Sequence, residues 1–97
     1  MTTLAFIHPG EVLREEFLPL GLTAGAVARA VGVPRTRIER LANEQVELSP
    51  DTALRLARYF GTTPQFWMSL QSRYALESAA DSLSGDLVRI TPLDRTG

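Results

Sequence analysis

In TAGAVARAVGVPRTRIERLAN, residues 23 to 43, the apolar positions Val27, Ala28 and Val31 recur at helical spacing, Gly32 interrupts, and Ile38, Leu41 and Ala42 resume the same spacing. Two short helices joined by a tight turn follow. Ala28 is small where the helices must approach closely, and Gly32 stands where the chain must turn, a position that often needs φ > 0. The second of these helices, from about Pro34 to Asn43, directs its apolar stripe inward and leaves Arg35, Thr36, Arg37, Glu39 and Arg40 outside. A face of that kind suits the major groove of DNA.

Any αα-hairpin in a helical bundle has small residues at its contacts, a glycine at its turn and a charged outer face, so spacing alone does not separate the two readings. What separates them is the coincidence, within about twenty residues, of Ala28, Gly32 between Val31 and Val33, and then Ile38 and Leu41. The segment resembles the helix-turn-helix of phage-repressor-type regulators.

The 97 residues predict a single domain with one modest core, small enough that an oligomer is expected. There is no cysteine, which excludes disulfides and thiolate metal sites and is compatible with a reducing compartment. No apolar run reaches the roughly 18 residues of a membrane span, and no basic segment followed by an apolar core opens the chain. A soluble cytoplasmic protein without membrane contact is the expectation. The net charge of −1 argues against a non-specific nucleic-acid coating protein. Every basic side chain is arginine, however, and Arg29, Arg35, Arg37 and Arg40 fall together with only Glu39 opposing them. The planar fork of arginine suits phosphate and guanine edges.

Taken from its start, the chain opens with a β-prone or irregular lead-in over residues 2 to 7. A first helix is predicted from about Pro9 to Leu18, with Pro9 at its first position, Glu11 at its positive end, and Val12, Leu13 and Phe17 on one face. Pro19 and Gly21 stop it, and Thr23 caps the second helix. Ser49-Pro50-Asp51-Thr52 starts a fourth helix that ends near Phe60-Gly61, with Ala53, Leu56, Ala57 and Phe60 as its stripe. The same signal at Thr63-Pro64 starts a fifth, through Phe66, Trp67, Leu70 and Tyr74 to about Ala80. Ser84-Gly85 then reads as a break, and DLVRITPL has the β-branched content of a short strand or an extended tail over residues 82 to 97. The predicted fold is all-α, five helices, with a possible short C-terminal strand.

Three further blocks narrow the resemblance: His8-Pro9-Gly10-Glu11-Val12-Leu13 leading to Glu15-Glu16-Phe17-Leu18, the run Asp51 to Gly61, and the run Thr63 to Gln71. In order and spacing they are similar to the HigA family of antitoxins, over about residues 7 to 80. The resemblance implies a DNA-binding homodimer that represses its own operon and neutralises a cognate HigB-like toxin, in this family usually a ribosome-dependent mRNA-cleaving ribonuclease. The alternative is an orphan helix-turn-helix regulator without a toxin partner. Five positions depart from the repressor pattern: Ala24 where a phosphate-binding Gln is common, Pro34 where a Ser or Thr cap is common, and Glu44, Gln45 and Glu47 where relatives tend to carry Gly and basic residues.

An enzyme is not expected, and neither a cofactor nor a metal. His8, the only histidine, precedes a proline at a helix start and reads as a cap, while Glu15 and Glu16 are adjacent and diverge by about 100° on a helix. The residues expected to meet DNA are Thr23, Arg35, Thr36, Arg37, Glu39, Arg40 and Asn43, with Arg35, Thr36 and Arg40 nearest the base edges and Arg37 and Asn43 nearest the backbone. Trp67, Leu70 and Tyr74 are the candidates for a dimer surface, although Trp67 also suits the protomer's own core. A two-fold dimer would meet palindromic half-sites roughly 34 Å apart or a multiple of that. For a basic toxin surface the acidic candidates are Glu11, Glu15 and Glu16, with Glu44 and Glu47 as a second group.

Overall fold

A computed structural model describes residues 7–94. The first helix begins as α1 (Pro9–Val12), widens into a π turn (Leu13–Phe17) and tightens into a 3₁₀ turn (Leu18–Leu20) before Gly21 ends it. Then come α2 (Ala24–Val31), α3 (Arg35–Ala42), α4 (Pro50–Phe60) and α5 (Pro64–Leu87). The helix starts follow the local chemistry of the sequence. The hydroxyls of Thr23, Ser49 and Thr63 accept the N–H groups of Ala26, Thr52 and Phe66, and proline follows directly after Ser49 and Thr63. At the first helix the cap is His8, whose Nδ1 accepts the Gly10 N–H at 2.9 Å.

The predicted stripes meet in one core. Leu13, Val27, Ala28, Ile38, Leu41, Ala53, Leu56 and Trp67 are almost fully removed from water, each large side chain contributing about 1.5 to 3 kcal/mol. α2 packs on α3, α4 on α5, and the first helix lies across α3 and the start of α5. Trp67 is the largest side chain of this core. Its ring sits among Phe17, Phe60 and Phe66, and its indole N–H donates to Thr62 Oγ1 at 2.8 Å, so the polar atom is satisfied.

The first helix is seated by a backbone contact. A Cβ built on Gly10 would lie 1.7 Å from the carbonyl oxygen of Leu41, at the end of α3. Only a residue without a side chain permits that approach. His8 closes the same corner, buried with its ring edge-on to Tyr74 at 4.8 Å.

Two expectations for the C-terminal region are corrected. α5 does not end near Ala80 but runs through Ser84 and Gly85 to Leu87, and there is no strand among the described residues. One exposed glycine costs a helix only about 1 kcal/mol relative to alanine, too little to break a helix already propagating. A short β-branched segment with no neighbouring strand has nothing to pair with, and residues 91–94 carry no regular structure. The lead-in over residues 2 to 7 lies, apart from Ile7, outside the described residues. From Ala79 onward every described side chain is exposed, and the molecule is 57 Å long but only 23 Å across its thinnest axis, because the second half of α5 projects from the body. No helix of the described residues is long and apolar enough to cross a membrane.

Gly10→Ala is expected to lower stability by about 3 kcal/mol or more, since the added carbon meets backbone that cannot rotate aside. Gly85→Ala, whose new carbon meets nothing within 4 Å, is expected to raise it by up to about 1 kcal/mol. Urea denaturation of both variants checks the pair, and equal effects at the two positions would contradict the seating contact.

Candidate nucleic-acid interface

The outer face of α3 is built by fixing both its ends. At its start, Gly32 adopts φ +78° and its N–H, with that of Val33, returns to the Ala28 carbonyl at 2.8 and 3.0 Å. The remaining carbonyl of that turn, Val31 O, accepts from Arg55 Nη1 of α4 at 2.7 Å. Arg55 also donates through Nε to Asp51 at 2.7 Å, and the same carboxylate oxygen accepts from Arg37 of α3 at 2.9 Å. Asp51 therefore joins α3, the start of α4 and the turn. Hydrogen bonding first to Arg55 and then to Arg37 holds its carboxyl below the ordinary value of 3.8.

At the far end, Arg14 of the first helix reaches across: its Nη1 donates to the Ala42 carbonyl, its Nη2 to Glu44 at 3.1 Å and its Nε to Glu15 at 3.2 Å. The bonds to Glu44 and then Glu15 raise the guanidinium pKa further, so Arg14 is a permanent cation. The loop beyond is pinned by Gln71, buried in α5, whose Oε1 accepts the Leu48 N–H at 2.7 Å. A buried amide here satisfies a backbone donor that would otherwise be left without a partner.

Between these two anchors lie the predicted residues. Arg35, Thr36, Arg37 and Arg40 are all exposed on α3. Arg35 pairs with Glu39 one turn on, at 3.3 Å, with its stem over Gly25 of α2. Arg40 makes no ion pair among the described residues, and together with Thr36, Arg37, Val46 and Glu47 it lines a groove of about 340 Å³ between α3 and the following loop. Asn43 is the C-cap of α3, and Thr23 is spent on capping α2. Glu39 faces Arg35 rather than standing as an isolated anion.

The other predicted groups are dispersed. Trp67 is fully buried in the protomer's own core and offers no surface to a second chain, while Leu70 and Tyr74 are half-buried. Glu15 and Glu16 are exposed on the π turn and Glu11 is half-buried one turn earlier. Sequence reading passed over Gly10, Arg14, Arg55 and Gln71. For Arg55 a signal existed, its spacing of four from Asp51, but its reach to Val31 O is visible only in three dimensions.

A family model described as Helix-turn-helix matches residues 13–67. Virulence-associated protein I of Dichelobacter nodosus is 51% identical over 74 residues, covering 75% of this chain and 68% of its own length. Antitoxin HigA-1 of Vibrio cholerae is 36% identical over 88 residues, 90% of this chain and 83% of its own. Among solved structures, a Pseudomonas aeruginosa antitoxin HigA with the higBA promoter superposes with a TM-score of 0.88 at 43% identity, over 92% of this chain and 99% of that one. The chain belongs to the HigA family of helix-turn-helix antitoxins.

The Asp51 network makes a pH prediction. With the folded-state pKa below 3.8, the unfolded chain binds more protons between the two values. This group's contribution is therefore complete above that window and is lost as pH falls through it. The stability difference between wild type and Asp51→Asn is expected to be present near neutral pH and to shrink below about pH 4. Urea midpoints across that range check it, and a difference independent of pH would contradict the network.

Proposed function

We propose that this chain is an autorepressing antitoxin that reads its operator with α3. The observation that carries the reading is the outward face of α3, anchored at both ends, on which Arg40 is free of ion pairs among the described residues. Arg35, Thr36 and Arg40 meet base edges. Arg37, tied back toward α4 by Asp51, and Asn43, at the helix end, lie nearer the phosphates. Thr23 and Glu39 act indirectly, the first by holding α2 and the second by orienting Arg35. That a Pseudomonas aeruginosa antitoxin HigA of this fold was solved with the higBA promoter supports the DNA-binding reading.

The operator is met as a homodimer, since one short helix reads few bases. With Trp67 inside the protomer, the contact falls on the projecting half of α5, where Leu76, Leu83 and Leu87 are exposed and recur at spacings of seven and four. Leu70 and Tyr74 border it. The toxin, a HigB-like ribonuclease with a basic surface, docks on the acidic side of the first helix through Glu11, Glu15 and Glu16. Operator and toxin place this work in the cytoplasm.

Arg40→Ala is expected to cost about 1 to 3 kcal/mol of operator discrimination, read by fluorescence anisotropy on the duplex upstream of its own reading frame. Unchanged affinity and sequence preference would remove Arg40 from the site. Leu83→Glu with Leu87→Glu is expected to convert a dimer to a monomer in sedimentation and to weaken operator binding, and a wild-type protomer that sediments as a monomer with and without operator would overturn the dimer. Co-purification with the neighbouring gene product, followed by growth rescue, tests the partner. If neither is observed, the chain is an orphan regulator.

A further inference from the structure

Glu44 is the one described non-glycine residue with a positive φ, +60°. It stands just beyond α3, where the Glu44 N–H returns to Leu41 O at 2.9 Å and the Gln45 N–H to Arg40 O at 2.8 Å. That helix-ending arrangement ordinarily carries glycine, because a left-handed backbone is disfavoured for a residue with a Cβ. The glutamate therefore stands against local preference, and such an outlier points toward function. Its side chain makes an ion pair with Arg14, a residue thirty positions earlier in the sequence. Both partners are about one-third exposed, and exposed pairs add little to stability. The small stabilisation from this ion pair does not by itself account for a glutamate in a left-handed conformation at this position.

Position supplies the account. The backbone closure sets Glu44 just beyond α3, one residue before the Gln45 N–H that returns to Arg40 O, and a charge there acts on a phosphate meeting that helix end over about a Debye length, roughly 8 to 10 Å. We propose that Glu44 attenuates operator affinity and that Arg14 is the positioning residue that masks it. Bound to Arg14, the carboxylate is drawn toward the first helix and its charge is compensated. Released, it opposes the DNA. Arg14 is fit for this because its other hydrogen bonds, to the Ala42 carbonyl and Glu15, fix the guanidinium in place. The strength of repression is then set by a pair that touches no base. This inference rests on the DNA-binding reading above.

The test uses the full chain and the duplex upstream of its own reading frame, with anisotropy titrations at several salt concentrations. Glu44→Gln is expected to tighten binding about three- to tenfold at low salt and Arg14→Ala to weaken it by a similar factor, with both effects shrinking as salt rises. The double variant Arg14→Ala/Glu44→Gln is expected to recover most of what Arg14→Ala loses, because the exposed anion is gone. A purely structural clamp predicts instead that both single variants weaken binding and that the double variant does not recover. Same-direction effects, or the absence of recovery, overturn the proposal. Should Arg14→Ala fail to fold by circular dichroism, Glu44→Gln and Glu44→Gly carry the test alone, and binding that is unchanged or weaker in both overturns it. A wild-type chain that does not bind the duplex defeats the DNA-binding reading itself, whereas wild-type binding with same-direction effects defeats only the role of this pair.

Discussion

The backbone of Gly10 lies directly on the carbonyl of Leu41, and the rest of the arrangement depends on that approach. It lets the start of the first helix sit against the end of α3, which in turn brings Arg14 within reach of Ala42 and His8 within reach of Tyr74 on α5. Three elements distant in sequence are joined at one corner. The opposite end of α3 is joined in the same manner by Asp51, which serves Arg37 and Arg55 at once. A helix held at both ends has little freedom to tilt, and a rigid scaffold is what allows a few exposed side chains to be presented in a fixed register.

Much of the fold was legible because the signals that set it are local. Thr23, Ser49 and Thr63 cap helices through contacts three residues away, and the stripes that include Val27, Ile38 and Leu56 declare their buried faces by period alone. The C-terminal region was misread for a related reason. Ser84-Gly85 is a strong break signal in isolation, but in a 24-residue helix the preceding turns are already formed, and one more residue needs only propagation. The π turn at Leu13–Phe17 had no local signature at all.

For the candidate site the division is sharper. Which residues of α3 face outward follows from the helical period, and Arg35, Thr36, Arg37 and Arg40 are where that period puts them. What each can do there depends on partners that no spacing reveals. Arg37 is tethered by a carboxylate fourteen positions away, and Arg14 by groups twenty-eight and thirty positions away. Trp67 illustrates the same limit from the apolar side. A tryptophan on a helix stripe is compatible with a core or an interface, and the ring packing with Phe17 and Phe60 assigns it to the core.

The projecting half of α5 gives the molecule two parts governed by different laws. The body, from His8 to about Glu77, closes its core within one chain, so its cohesion does not depend on how much protein is present. Every described side chain of the arm from Ala79 on is exposed, and a helix segment that buries nothing is marginal in water by itself. In the homodimer proposed above, its free energy carries a logarithm of protomer concentration that the body's does not. With that dimer, dilution leaves the body intact and loosens the arm, and the chain registers its own abundance in the one segment that contributes nothing to its core.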